Sequence, residues 1–195
     1  MPEKFVFETE RLIIRRAEPC EADIDLYFRL WNNPQVMRFV GYPQGLGLSR
    51  EALREIIANQ PESDLECKLL VQRKSDGALT GECKLGQPDP EGIAETDVKL
   101  LPEFWGHGYG VEIKRGLLDY LFTHTSCQVV QATPNVQNLA SIRMQEAVSG
   151  RRVGEYHFHG SPEPVHAYIY HVNRDDWLLG MGEPDQRGET GVRCI

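Results

Sequence analysis

The feature that most constrains this chain is a glycine-rich turn that separates an apparent strand from an apparent helix. Its residues are Trp105-Gly106-His107-Gly108-Tyr109-Gly110. Glycine lets the backbone turn sharply and approach a ligand closely. The first amides of the following helix have no internal partner, and the helix dipole adds about half a positive charge there. The turn therefore predicts an anion site, with a purely structural strand-to-helix connection as the alternative.

The position of this turn excludes two common phosphate-binding folds. A Walker loop needs the pattern G-x-x-x-x-G-K-[ST], and the chain contains no such run. A dinucleotide-binding fold places its glycines after the first strand, near the N-terminus. Here they lie past the middle of 195 residues, after what the sequence predicts to be an antiparallel meander.

Hydrophobic periodicity predicts a mixed α+β fold with a largely antiparallel sheet flanked by helices. The expected strands are 11–16, 68–72, 79–85, 95–101, 128–132, 152–158 and 166–172. The expected helices are 21–31, 49–59, 108–124 and 138–148, with Ser49 as the N-cap of the second, and 33–47 is expected to be a loop. We expect a single domain over residues 1–177, followed by a polar, glycine-containing tail at 178–195.

Composition narrows the class of partner. The formal net charge of −8 disfavours nucleic acid as a partner and is compatible with a cationic acceptor such as an amine. No apolar run approaches the roughly 20 residues that cross a bilayer, and the N-terminus lacks a signal-peptide pattern. We therefore expect a soluble, cytoplasmic protein with no membrane partner.

Neither the cysteines nor the histidines predict a metal site. The five cysteines are scattered, with no C-x-x-C pair, which disfavours a disulfide framework or a zinc site. His157 and His159 share one strand face, and His166 and His171 lie on the next strand. They could bind a metal if the strands pair suitably. Polar strand positions are the commoner reading, so we predict no metal.

Three segments, in order along the chain, resemble motifs of the GNAT acetyltransferases and, within them, of the ribosomal-protein N-terminal acetyltransferase (RimJ/RimL-like) branch. Residues 8–15 resemble E-T-x-R-L-x-L-R. Residues 95–110 resemble a strand followed by L-x-P-E-[FY]-W-G-x-G-[YL]-[AG]. Residues 135–143 resemble the downstream N-x-x-N-x-x-S motif. The resemblance spans nearly the whole chain and implies the GNAT acyl-CoA N-acyltransferase fold, with acetyl-CoA as cosubstrate and an amine as acceptor. Dimers are frequent in that family, so it also allows a homodimer.

The resemblance implies roles for individual residues on the cofactor side. The turn Trp105, Gly106, His107, Gly108, Tyr109 and Gly110 would hold the pyrophosphate, chiefly through backbone amides. Peptide groups near Val98, Leu100 and Leu101 would pair with the pantetheine arm as if it were an added strand. Asn138 would bind the arm through its side chain, and Ser141 would cap or contact it. For Asn138 and Ser141, helix capping alone is an equal alternative.

The catalytic groups are less well marked. An alkylamine has a pKa of about 10, so a base or water chain must take its proton before it attacks the thioester. Glu95 is our first candidate base; Asp97 shares its strand face, and Glu82 is a third choice. A backbone N–H near Val98 is the candidate oxyanion donor.

Departures from the family pattern keep a second function open. The family's general-acid Tyr position corresponds to Gln145, which cannot donate a proton, so water or Ser141 would have to serve the thiolate. The family's E-K-x-G-F segment reads Glu146-Ala147-Val148-Ser149-Gly150, and Asp97 and Lys99 are also unusual. The alternatives to an N-acetyltransferase are an acyl-CoA-binding module with little turnover and a scaffold whose glycine turn is structural.

Overall fold

One twisted sheet of eight strands forms the centre of the computed structural model, which describes residues 4–180. The strands are β1 (Phe5–Glu8), β2 (Leu12–Arg16), β3 (Leu69–Arg73), β4 (Leu79–Leu85), β5 (Ile93–Leu100), β6 (Val129–Ala132), β7 (Arg151–Phe158) and β8 (Val165–Asn173). Their spatial order is β1-β2-β3-β4-β5-β6-β8-β7. Within this sheet only β5 and β6 pair in parallel. The predicted α+β fold with a mostly antiparallel sheet is therefore confirmed.

Helices cover both faces of the sheet. They are α1 (Glu21–Trp31), α2 (Pro34–Met37), α3 (Arg50–Ala58), α4 (Tyr109–His124), α5 (Leu139–Glu146) and α6 (Arg174–Gly180). One core cluster joins α4 to the inward side chains of β2, β3 and β4, including Leu12, Val71 and Leu85. A second joins α1 and α3 to the opposite sheet face through Leu70. Strand β3 is thus covered on both faces, by α4 on one side and by α1 and α3 on the other.

Local sequence explains the helix ends. The Ser49 side chain accepts a hydrogen bond from the Ala52 N–H at 3.2 Å and so caps α3 as expected. Helix α1 stops at Trp31, as the following Asn-Asn-Pro predicts. The stop itself starts a new turn, because Asn33 Oδ1 accepts from the Gln35 N–H and Pro34 occupies the first helical position.

Three short elements were not expected from the sequence. Strand β1 precedes the predicted first strand, and its pairing with β2 contains a bulge between Phe5 and Phe7. Helix α2 forms inside the segment expected to be a loop. Helix α6 runs to Gly180 and so crosses the predicted domain boundary at residue 177. The remainder of the predicted tail lies outside the described residues.

Candidate active site

A wedge-shaped cleft opens where β5 and β6 separate. The two strands pair at only three positions, from Ile93↔Val129 to Glu95↔Gln131, although β5 continues to Leu100. Beyond Thr96 the strands diverge and leave a cleft of about 680 Å³, bounded by β5, the glycine turn, α4 and α5. We call the closed end of this cleft, at Thr96 and the Glu95–Gln131 pair, the apex.

The β5 backbone presents alternate peptide groups to the cleft. The Gly86 N–H donates to the Glu95 carbonyl at 2.8 Å, and the Leu101 N–H donates to the Thr80 carbonyl at 2.9 Å. Odd-numbered residues of β5 therefore bond to β4. The peptide groups of Val98 and Leu100 consequently face the cleft, where the resemblance predicts the pantetheine arm. Leu101 does not: its N–H is used by β4 and its side chain is buried behind the cleft.

The glycine turn begins α4 with free amides. Gly106 and Gly108 have φ angles of +79° and +78°, a region in which L side chains are strained. Gly108 is the N-cap residue and offers no side chain, and the first intrahelical bond runs from the Glu112 N–H to the Gly108 carbonyl at 3.2 Å. The amides of residues 109–111 therefore have no acceptor within the helix.

Trp105 connects this turn to the strand before it. Its indole Nε1–H donates to the Leu100 carbonyl at 2.8 Å, one of the carbonyls that face the cleft. About half of the Trp105 side chain is exposed. The indole therefore fixes the entrance of the cleft and leaves the free amides of α4 accessible.

Arg11 supports the turn from behind. Its Nη1 donates to the His107 carbonyl at 3.1 Å, and its Nε donates to Glu112 Oε2 at 2.7 Å. Thr9 Oγ1 donates to the other oxygen of Glu112 at 2.6 Å. Burial favours the neutral form of Glu112, but the hydrogen bonds from Thr9 and Arg11 lower the pKa of Glu112 overall. The carbonyl of His107 thus points away from the cleft, and two of the motifs found in the sequence meet here.

Asn138 and Ser141 lie on the α5 side of the cleft. Asn138 Oδ1 accepts a hydrogen bond from the Ser141 N–H at 3.1 Å, so Asn138 acts as the N-cap of α5. Both residues line the cleft together with Met144 and Gln145. Only 3% of Gln145 is exposed, which places an amide where the family carries its Tyr. The capping role leaves the Asn138 amide nitrogen available for a ligand.

Two of the three candidate bases form ion pairs with Lys99. Glu82 is 7% exposed, accepts from Trp31 Nε1 at 2.7 Å and lies 3.2 Å from Lys99 Nζ. Asp97 also pairs with Lys99. Burial favours the neutral acid of Asp97, but the charge and hydrogen bond of Lys99 lower the pKa of Asp97 overall. Asp97 is therefore stabilised as an anion, and Glu82 is already engaged by Trp31 and Lys99.

Glu95 is held by neutral partners instead. Gln131 Nε2 donates to Glu95 Oε1 at 3.2 Å, and His171 Nε2 lies 3.0 Å from Gln131 Oε1. The three side chains form a ladder across β5, β6 and β8, and burial lowers the pKa of His171. Within residues 4–180, Glu95 forms no ion pair with a lysine or arginine, whereas Asp97 does. Glu95 is thus the candidate base that no lysine or arginine of the described residues engages.

The residues that differ from the family pattern after Gln145 form the C-terminal end of α5. Ser149 has a φ of +61°, the left-handed conformation for which glycine is suited, at the position where the family carries Gly. A Cβ on Gly150 would lie 2.7 Å from the Gln145 carbonyl oxygen, so the family's Phe does not fit this backbone. Val148 is buried in the core instead.

The histidines are only partly brought together. Glu155, His157 and His166 place potential ligand atoms within 4.8 Å of one another. The rings of His157 and His166 stack with centroids 4.2 Å apart and planes 14° apart. A metal binds in the plane of an imidazole, so two stacked rings cannot share one ion in this arrangement. His171 belongs instead to the ladder that ends at Glu95.

Comparison with known proteins identifies the family of the chain. Residues 11–149 match the family model described as an acetyltransferase (GNAT) domain. The uncharacterized N-acetyltransferase p20 of Bacillus licheniformis is 26% identical over 149 residues, which cover 75% of this chain and 82% of that protein. The uncharacterized N-acetyltransferase YnaD of Bacillus subtilis is 23% identical over 171 residues, covering 87% and 97%.

Solved structures share the fold. A GNAT-family acetyltransferase from Bacillus anthracis superposes with a TM-score of 0.75 at 22% identity, covering 88% of this chain and 99% of that chain. The spermidine N-acetyltransferase of Vibrio cholerae, solved with CoA and spermine, gives a TM-score of 0.72 at 20% identity, covering 86% and 98%.

The chain belongs to the GNAT acetyltransferase family. It is an acetyl-CoA-dependent N-acetyltransferase, as the glycine turn and the two flanking motifs predict. Among residues 4–180, no helix combines the length and hydrophobicity needed to cross a membrane.

Proposed function

We propose that the chain transfers acetyl from acetyl-CoA to a primary amine, of a protein N-terminus or a small molecule, by direct attack on the thioester. The observation that carries this proposal is the cleft itself, which runs from the free amides of α4 to the unpaired carboxylate of Glu95. A donor bound along it would present its reactive end to a base that no lysine or arginine among residues 4–180 pairs with.

On the donor side, the pyrophosphate would accept hydrogen bonds from the amides of residues 106–111. The pantetheine arm would then extend along β5, pairing with the cleft-facing peptide groups of Val98 and Leu100. Asn138 and Ser141 would contact the arm from α5. The amides of residues 109–111 have no acceptor inside α4, and the peptide groups of Val98 and Leu100 are not used in pairing with β4.

On the acceptor side, Glu95 would take the proton of the attacking amine, directly or through water. The amine nitrogen forms a bond to the thioester carbon, and the tetrahedral intermediate collapses with loss of the coenzyme A thiolate. Ser141, the nearest hydroxyl candidate on α5, would contact the leaving group, because Gln145 cannot supply a proton. A thiolate leaves without an acid at neutral pH, so Ser141 assists rather than decides the reaction.

The finer assignment is the RimJ/RimL-like branch, supported by the contact between Arg11 of the first motif and the turn of the second. A protein N-terminal amine is the acceptor expected of that branch. The structural relative with bound spermine supports testing polyamines beside it. Both are cationic primary amines that an anionic apex would attract.

The test is a melting-temperature titration with acetyl-CoA, followed by a thiol-release screen over peptides with free N-termini, polyamines, amino acids and aminoglycosides. We expect stabilisation by acetyl-CoA and thiol release with at least one amine class. Stabilisation without thiol release from any amine would favour the acyl-CoA-binding module. No stabilisation at millimolar acetyl-CoA would contradict both.

A further inference from the structure

A buried lysine lies at the apex of the cleft and has no part in the proposal above. Lys114, on the second turn of α4, is 1% exposed and lines the cleft. Its Nζ donates a hydrogen bond to Thr96 Oγ1. Lysine is almost never fully buried unless it is paired, because burial disfavours the charged ammonium. A core position of this kind therefore needs an explanation.

The protein itself leaves Lys114 under-partnered. An ammonium has three donors, and Thr96 accepts one of them. The nearest acid, Asp97, is already bound to Lys99 and to the Val98 N–H, which donates to Asp97 Oδ1 at 2.9 Å. Burial lowers the pKa of Lys114 to about 7, although the charge of Asp97 opposes this. The remaining donors of Lys114 are thus left for whatever occupies the cleft.

The place of Lys114 matches the reactive end of the donor. Thr96 follows the last paired residue of β5, so Lys114 marks the apex. From Leu100 to Thr96 the strand runs four residues, about 13 Å at about 3.3 Å per residue. A donor whose pyrophosphate sits on the first turn of α4 and whose arm follows β5 would bring its thioester to this end.

The usual oxyanion donor of the strand is engaged elsewhere. The Val98 N–H faces the cleft, but it donates to Asp97 Oδ1. Lys99 holds the same carboxylate from the other side. A carbonyl oxygen at the apex would have to displace this carboxylate to reach Val98, whereas Lys114 Nζ is already present with donors to spare.

We propose that Lys114 Nζ donates a hydrogen bond to the thioester carbonyl oxygen of the donor and stabilises the oxyanion that forms when the amine attacks. This proposal rests on the proposed acetyl transfer. As the new C–N bond forms, the carbonyl π electrons move to oxygen, which the ammonium then contacts. Collapse restores the carbonyl, breaks the C–S bond and releases the thiolate, and the amine proton leaves through Glu95. Lys114 donates the hydrogen bond as the ammonium and transfers no proton during the step.

The central test compares Lys114→Met, which keeps the length of the side chain but removes its donors, with Lys4→Met, the same change at an exposed site paired with Glu18. Removing one oxyanion donor costs about 100-fold in kcat. We expect that loss for Lys114→Met, and no loss for Lys4→Met. Affinity for CoA, which lacks the thioester, should change less than twofold. A folded Lys114→Met protein with kcat within threefold of wild type would overturn the proposal.

Two outcomes separate Lys114 from other contacts and from the proposed function. Equal loss of affinity for CoA and acetyl-CoA, with kcat retained, would assign the hydrogen bond to an amide of the pantetheine arm and overturn the thioester assignment. A wild-type protein without activity on any amine would instead contradict the proposed function.

An infrared measurement needs no variant and so remains valid if Lys114→Met does not fold. Acetyl-CoA labelled with ¹³C at the thioester carbonyl is bound to the wild-type protein, and its stretching frequency is compared with that of the free molecule. We expect a shift to lower frequency on binding. An unshifted carbonyl in the bound complex would overturn the proposal.

Discussion

The two ends of the cleft are built in different ways. The donor end, at residues 105–111, offers backbone amides of one turn and one helix start, fixed from behind by Arg11. The apex offers side chains from several strands and α4: Gln131 is hydrogen-bonded to Glu95, and Lys99 nearby pairs with Glu82 and Asp97. Backbone recognition tolerates changes in side chains, whereas the apex is sensitive to each one. Substitutions should therefore separate binding, at the donor end, from turnover, at the apex.

The strongest way to break the donor end is to place a charge inside it. Gly108→Glu forces a side chain onto a residue with φ of +78°, where the added Cβ would lie 3.6 Å from Arg11 Nη2, and so brings a carboxylate to the turn proposed to bind the pyrophosphate. We expect acetyl-CoA affinity to fall by at least about 100-fold, or about 2.7 kcal/mol, in a calorimetric titration. Gly77→Glu is the matched control, since Gly77 has φ of +73° in the hairpin turn between β3 and β4. Unchanged affinity in folded Gly108→Glu would refute the donor site.

The apex is tested by removing its free carboxylate. Glu95→Gln keeps the hydrogen-bonding shape but cannot accept a proton, so kcat/KM for the amine should fall about 100-fold. The dissociation constant of acetyl-CoA should stay within twofold, which separates this variant from Gly108→Glu. Glu91→Gln, an exposed change in the turn before β5, serves as control. Full activity in Glu95→Gln would move the base elsewhere.

A substitution of Arg11 tests whether its contacts behind the glycine turn contribute to acetyl-CoA affinity as the turn itself does. Arg11→Met removes the bonds to His107 and Glu112, while the amides of residues 109–111 remain. Because Arg11 is partly exposed, we expect a loss of about tenfold in acetyl-CoA affinity, below the full value of charge-assisted hydrogen bonds. Arg54→Met on α3, across the sheet, should leave affinity unchanged. An equal effect of both variants would deny Arg11 this positioning role.

Burial of Lys114 makes stability depend on pH. Its pKa is about 7 in the folded protein and about 10.4 unfolded, so between these values only the unfolded chain carries its proton. Wild-type stability should thus gain about 1.4 kcal/mol per pH unit relative to Lys114→Met as pH rises from 7 to 10. Denaturant unfolding of both proteins measures the difference, which cancels other titrating groups. A constant difference would show that Lys114 stays charged when folded.

The smallest effect concerns the helix end after Gln145. Ser149→Gly relieves a left-handed serine and should raise the free energy of unfolding by about 1 kcal/mol. Ser149→Ala, which keeps the Cβ, should bring no such gain. Denaturant midpoints of the two variants give the answer. A Ser149→Gly protein no more stable than wild type would mean that the left-handed conformation of Ser149 does not destabilise the fold.

The sequence predicted the donor end of the cleft better than the apex. The glycine turn, the Ser49 cap and the Asn138 cap depend on local rules, and the structure has them as expected. The interaction of Arg11 with Glu112 joins residues 101 apart in sequence, so no local rule could find it. The pairing of Lys99 with Glu82 depends on strand register. Helical spacing places Lys114 on the same face as Leu117, Leu118 and Leu121, but it was missed because a lysine is rarely buried.

The most direct test of the account is a crystal structure of the chain with a nonhydrolysable thioether analogue of acetyl-CoA. We predict that the pyrophosphate lies on the amides of Tyr109, Gly110 and Val111, that the arm follows β5 past Val98, and that the acyl end reaches the apex beside Glu95. A pyrophosphate bound away from the glycine turn, or an arm outside the gap between β5 and β6, would contradict it.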